Sequence, residues 1–158
     1  MKILCFARFV TAAMSFTASV SAGEPAKKGK FAGVQPMDPA LLPALVEVQD
    51  VTDLPRVLLI GDSISIAYTL SVRARLAGRA NVHRPGENGG STAYGLDRLD
   101  DWLGSGKWAV IHFNFGLHDL KYLDEQGNYV TPDKGRQVAS PEEFEKNLRE
   151  LVRRLQRT

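Results

Sequence analysis

A single cysteine, Cys5, in 158 residues has no partner inside the chain, which excludes an internal disulfide and any cysteine-rich metal cluster. Charge of one sign is also lacking. Twenty Lys and Arg stand against 18 Asp and Glu, a formal +2, so nothing in the balance points to a nucleic-acid backbone as partner. The longest uncharged stretch near the start, Phe9 to Ala22, is short of the roughly 20 apolar residues that span a bilayer and is diluted by Thr and Ser. Neither Gly-x-Gly-x-x-Gly nor the Walker pattern occurs, which argues against a dinucleotide or nucleotide site. The only histidines, His83, His112 and His118, have no close His or Cys spacing that pairs them, so no metal is expected, and no cofactor. What is there is 44% hydrophobic and 24% charged, with 14 Gly and 8 Pro, the profile of one globular domain.

The first 22 residues read as a secretory signal peptide. Lys2 precedes a largely apolar stretch from Ile3 to Val20, interrupted by Arg8, and the small residues Ser21 and Ala22 stand ahead of Gly23-Glu24-Pro25. Cleavage after Ala22 would remove Lys2, Arg8 and Cys5, leaving a neutral, thiol-free chain that suits a secreted or periplasmic location. No stable membrane insertion is expected after cleavage. Residues 23–54 carry the cluster Lys27-Lys28-Gly29-Lys30 and then Pro36, Pro39 and Pro43 without a sustained period, which predicts an extended leader lying over the domain. The lysines read as a solvated linker.

The domain is expected from residue 55 to residue 158. Val57-Leu58-Leu59-Ile60 is a continuous apolar run that fits a strand buried on both faces. After Gly61-Asp62-Ser63 a helical pattern follows, with Ile66, Leu70, Ala74 and Ala77 on one face and Gly78 as its stop. Asn81-Val82-His83 is a weak second strand leading into the loop Pro85-Gly86-Glu87-Asn88-Gly89-Gly90. A second helix is expected from Ser91 or Thr92 to Leu103, with Leu96, Leu99 and Leu103 as its stripe. A third strand is expected from Trp108 to Phe115, then a long loop or small hairpin between Leu120 and Ala139. The last helix has a full start signal in Ser140, Pro141 and Glu143, with Phe144, Leu148, Leu151 and Leu155 as its apolar face. This alternation implies a parallel sheet with helices on both sides, joined by right-handed crossovers.

In an open parallel sheet, ligands gather where the chain leaves the carboxyl ends of the strands. Three such ends are visible: Gly61-Asp62-Ser63, Asn88-Gly89-Gly90-Ser91, and Gly116-Leu117-His118-Asp119. A serine in a tight strand-to-helix turn sits where the helix's positive end favours negative charge developing on its oxygen. A glycine in the second loop lets a backbone N–H approach a substrate oxygen closely. A side-chain donor in the third loop could complete an oxyanion hole.

These three blocks resemble the SGNH or GDSL family of serine esterases over roughly Arg56 to Thr158. Gly61-Asp62-Ser63-Ile64-Ser65 is similar to the family's first block and puts Ser63 at the nucleophile position. Gly89-Gly90 followed by Gly95-Leu96 resembles the second block, whose glycine donates a backbone N–H to the oxyanion. Gly90 is the favoured match and Gly89 aligns nearly as well, with Asn88 and Gly89 as candidate substrate-binding residues. The third block, normally Gly-x-Asn-Asp, reads Gly116-Leu117-His118-Asp119, so His118 stands where the family has an oxyanion-hole asparagine. An imidazole donates a hydrogen bond only in the right tautomer, and near its unperturbed pKa of about 6.5 its state changes with pH. The resemblance implies a flavodoxin-like three-layer α/β/α fold with a parallel sheet, of which only the first three strands are present. It also implies hydrolysis of acyl or acetyl esters, of small molecules or on carbohydrate, without a cofactor.

The family's final block, Asp-x-x-His, which supplies the general base and the carboxylate that orients it, does not occur in this sequence. General-base help is typically worth about 10²–10⁴-fold. The expectation is therefore the front portion of a longer hydrolase whose third strand would stand as an open edge. The alternatives are a catalytically inactive binding protein or a non-functional gene fragment. More ordinary roles are expected nearby: Asp62 bracing its turn or the third loop, Asp119 accepting loop N–H groups, His112 a core histidine paired with Asn114, His83 at the surface, and Trp102 and Trp108 in the core rather than a sugar platform.

Overall fold

Three short parallel strands carry the domain. The computed structural model describes the backbone of Lys2–Cys5, Ala40 and residues 42–158. Its elements run β1 (Lys2–Cys5), α1 (Leu42–Leu45), β2 (Arg56–Ile60), α2 (Ser63–Arg75), β3 (Asn81–His83), α3 (Thr92–Leu103), β4 (Val110–Phe113), β5 (Tyr122–Leu123), β6 (Arg136–Gln137) and α4 (Pro141–Leu155). Central β2 pairs in parallel with β3 on one side and β4 on the other, Val57 opposite both Val82 and Val110. This is the parallel sheet flanked by helices that the alternation of elements implies, a mixed α/β arrangement consistent with a flavodoxin-like fold.

The side of β4 expected to be an open edge is paired. Lys2–Cys5 lies parallel to it, Lys2 opposite Val110 and Cys5 opposite Phe113, giving the order β1-β4-β2-β3. The rest of the expected signal peptide, and the leader with its lysine cluster up to residue 39, lie outside the described residues.

Side chains alternate across a strand, so β2 and β4 each divide between two layers. Leu58, Ile60, Ile111 and Phe113 join Leu99, Trp102 and Leu103 of α3 and Leu151 and Leu155 of α4 in one core. On the opposite face, His112 meets Tyr68 of α2. The last helix starts as its sequence predicts: Ser140 accepts from the Glu143 N–H while the Glu143 carboxylate accepts from the Ser140 N–H. In α2 the expected apolar face is displaced. Its buried residues are Ser65, Ile66 and Thr69, whereas Leu70, Ala74 and Ala77 are exposed. The cause is a buried cation, Arg84, which donates to the Ser65 and Thr69 hydroxyls and turns a polar stripe of the helix inward.

Residues 42–54 lie over the β3 edge and α2. Arg73 donates to the carbonyls of Pro43 and Val46, and Asn81 exchanges hydrogen bonds with the backbone of Val51. His83, expected at the surface, is largely covered there because Asp50 of the same segment holds its Nε2 at 2.6 Å and Trp108 packs edge-on against its ring. The segment between β4 and α4 folds back as a small antiparallel pair, Tyr122 opposite Gln137.

Candidate active site

Ser63 is the first residue of α2, directly after the N-cap Asp62. The turn is fixed by the aspartate, which is fully buried and whose Oδ1 accepts from the Ile64 N–H at 3.0 Å and from Asn114 Nδ2 at 3.1 Å. Asp62 thus caps the helix after β2 and ties it to the residue following β4. With Asp62 turned inward, Ser63 faces outward: it is exposed, and among the described residues its hydroxyl has no hydrogen-bond partner. The other carboxylate oxygen of Asp62, Oδ2, is buried and has no partner among the described residues.

The second loop meets this turn backbone to backbone. The Gly89 N–H donates to the Gly61 carbonyl at 2.9 Å. A Cβ on Gly89 would lie 2.7 Å from that oxygen, and one on Gly61 would lie 2.2 Å from Asn114 Oδ1, so contact among the three strand ends requires glycine at both positions. The Gly90 N–H donates to Asn88 Oδ1 at 2.9 Å. Of the two glycines that align with the oxyanion position, Gly89 has its N–H committed to the fold, while the N–H of Gly90 is covered by a side chain.

Arg84 holds the first two loops from beneath. Its guanidinium donates to the carbonyls of Gly61 and Glu87 through one terminal nitrogen, to Ser65 and Thr69 through the other, and to Pro85 through Nε. Burial pushes it down to about 10, so it remains a cation at neutral pH. Glu87, in the same loop, accepts from Tyr94, Arg98 and Trp102. Burial pushes its carboxyl up, but these three donors outweigh it and take the group below the usual range. Both tryptophan rings are core residues; Trp102 gives its N–H to Glu87 and Trp108 gives its own to the Leu103 carbonyl.

The third loop is locked by Asp119, which is 1% exposed and accepts from both the N–H and the hydroxyl of Thr92 at the start of α3. Thr92 at the helix start supplies these donors, and the backbone N–H of Asp119 itself, in the loop, also favours the carboxylate. His118 is half-buried, with Nδ1 3.3 Å from Lys121 Nζ. Burial, and next the charge of Lys121, lower its proton affinity, while Asp62 and Asp119 act in the opposite sense. His112 does not meet Asn114 directly: its Nε2 contacts the Tyr68 hydroxyl at 3.0 Å, and that hydroxyl donates to Asn114 Oδ1 at 3.2 Å.

The fold therefore brings the first and second loops into direct contact, joins the first to the end of β4 through Asp62 and Asn114, and places the third loop against α3. None of the three histidines is hydrogen-bonded to Ser63: His83 is held by Asp50, His112 by Tyr68 and His118 by Lys121. Sequence reasoning missed Arg84, Tyr68 and Lys121. An arginine beside a proline in a Gly-rich loop was the one visible signal, and it does not announce burial. Among the described residues no group of three or more His, Cys, Asp or Glu is placed to hold a metal ion, and no helix is long and apolar enough to cross a membrane. No known family model matches the chain, and no curated protein does either.

Proposed function

We propose that this chain carries the ester-binding and nucleophile groups of an exported SGNH-type serine hydrolase. The observation that carries the reading is Ser63: an exposed hydroxyl without a hydrogen-bond partner among the described residues, at the first position of a helix, in a turn fixed from three sides by Asp62, Asn114 and Gly89. Such a serine is held by its backbone while its hydroxyl stays open to an ester carbonyl and to the general base that a serine nucleophile requires. In the proposed reaction, Ser63 Oγ attacks the ester carbonyl and loses its proton to a general base. The backbone N–H of Ser63, the N–H of Gly90 and the His118 ring hold the oxyanion. The substrate's carbonyl oxygen takes the place of Asn88 Oδ1 on the Gly90 N–H. The tetrahedral intermediate collapses by breaking the bond to the alcohol, which leaves with the proton the base took from Ser63. Water, deprotonated by the same base, then attacks the acyl-enzyme, releasing the acid and returning the proton to Ser63. Substrates are acyl or acetyl esters of small molecules or carbohydrate.

One observation favours a second reading, a binding protein that performs no chemistry: all three histidines are engaged elsewhere, so no described imidazole is placed to deprotonate Ser63. A fluorophosphonate probe separates the two. Stoichiometric capture on Ser63, abolished in Ser63→Ala, supports the hydrolase. A folded sample that stays unlabelled while still binding an ester analogue supports the second reading.

A further inference from the structure

We infer that Lys121 is a positioning residue that holds His118 in the tautomer whose proton stands on Nε2. The ammonium of Lys121 has three donors and no acceptor. Its Nζ lies 3.3 Å from His118 Nδ1, so in that contact Nδ1 accepts and carries no proton. A neutral imidazole has one N–H, which then stands on Nε2. The lysine is itself held: Nζ donates to the Tyr129 hydroxyl at 2.6 Å and lies 4.4 Å from the centre of that ring. Tyr129 follows the turn that Gly127 makes before β6, and the backbone of the pair folds it back, with the Val138 N–H bonded to the Lys121 carbonyl. The small hairpin thus has a use beyond filling the connection to α4.

The charges that face the ring are Lys121 from its own loop, Asp119 beside it and Asp62 from the turn after β2. Burial and Lys121 prevail over the two carboxylates and keep the ring neutral at neutral pH. A neutral ring with its proton on Nε2 is a fixed donor, which answers the difficulty of an imidazole where the resembled family has an amide. The use of that donor for an oxyanion rests on the hydrolase reading above; the tautomer does not.

The test is long-range ¹H–¹⁵N spectroscopy of the uniformly labelled full chain, with the His118 signals identified by their loss in His118→Gln. At pH 8 the wild-type ring should show the single signature of the Nε2–H form. Lys121→Met should lose that single signature and shift the His118 titration midpoint upward, because a cation has been removed. Lys121→Arg, which keeps a charged donor, should retain both. An Nδ1–H ring in the wild type overturns the inference, as does a folded Lys121→Met spectrum with unchanged tautomer, whatever its midpoint, because loss of the charge alone moves the midpoint. The wild-type spectrum decides the tautomer even if a variant fails to fold. Because no readout involves Ser63, a failure here leaves the fluorophosphonate result standing, and absence of labelling with the tautomer intact counts only against the hydrolase reading.

Discussion

Replacing Asp119 by alanine and by asparagine should separate the cost of losing an acceptor from the cost of losing a charge. The carboxylate is 1% exposed and takes two donors from Thr92, which is itself fully buried: the N–H at 3.0 Å and the hydroxyl at 2.6 Å. Alanine leaves both donors without a partner in a site closed to bulk water, at about 1–3 kcal/mol for each unsatisfied group. It also removes a negative charge from the start of α3, where such a charge contributes about 0.3–1 kcal/mol. Against these losses, the desolvated charge is gone; burial holds the Asp119 carboxyl above its usual range despite the Thr92 bonds. A net loss of about 3 kcal/mol is expected, which for a chain of this size lowers Tm by roughly 6–12 °C. Asparagine keeps an oxygen for the Thr92 N–H and carries no charge to desolvate, so it should cost about 1 kcal/mol or less. The sign with pH follows from the raised carboxyl. The folded state binds this proton more readily than the unfolded state, so the wild type gains stability over Asp119→Asn as pH falls through the folded value. Thermal and urea melts followed by circular dichroism at pH 7 and at acid pH measure all of this. An alanine variant within about 1 kcal/mol of wild type, or an asparagine variant worse than alanine, would refute the reasoning.

Other perturbations follow from single contacts. In Gly95→Ala a Cβ would stand 2.5 Å from the Phe115 ring edge, so the variant should lose about 1–3 kcal/mol, and Phe115→Leu in the same chain should restore part of it in urea melts. Tyr68→Phe removes the partner of His112 Nε2 and the donor to Asn114 Oδ1; a loss of about 1–2 kcal/mol is expected, and an unchanged melt would show that the chain of bonds from His112 to Asn114 holds nothing. Burial lowers the proton affinity of both His112 and His118. The unfolded state therefore binds their protons more readily, so stability should fall as pH drops below about 6.5, and His112→Gln should flatten that fall in a pH series of melts. Ser63→Ala should leave Tm unchanged while abolishing probe capture, because the exposed hydroxyl has no bond to lose.

Where one local signal decides an element, the sequence is readable. The start of α4 rests on Ser140, Pro141 and Glu143, all within one turn, and the structure forms both bonds of the box. The stripe of α3 through Leu96, Leu99 and Leu103 faces the core because the one polar residue on that face, Thr92, is satisfied at the helix start by Asp119. In α2 the same periodicity misleads. Ile66, Leu70, Ala74 and Ala77 make a fair apolar stripe, but Leu70 is 41% exposed and Ser65 and Thr69 are fully buried. The deciding partner, Arg84, lies beyond β3, and no period within α2 reveals it. The site divides in the same way. Glycines and a serine at strand ends are visible from their spacing, whereas the relation of His118 to Lys121, or of Asp119 to Thr92, depends on how loops from different strands are brought together.

The polar interior of α2 also explains why Ser63 can be exposed in a rigid turn. Residues 63 and 65 are two apart on a helix and do not share a face. Ser65 is drawn inward, donating to the Asp62 carbonyl while accepting from Arg84, and Thr69 one turn later bonds back to the Ser65 carbonyl. The helix rotation about its axis is thereby set by the directional bonds from Arg84 to Ser65 and Thr69 together with the burial of Ile66 beside them. The same guanidinium reaches the Gly61 carbonyl, so a single buried group fixes both the turn before Ser63 and the roll of the helix after it. An apolar stripe in place of Ser65 and Thr69 would bury more surface, but it would leave the Arg84 donors unmatched and the direction of Ser63 less defined. The local departure from amphipathic patterning is accordingly where the orientation of the candidate nucleophile originates.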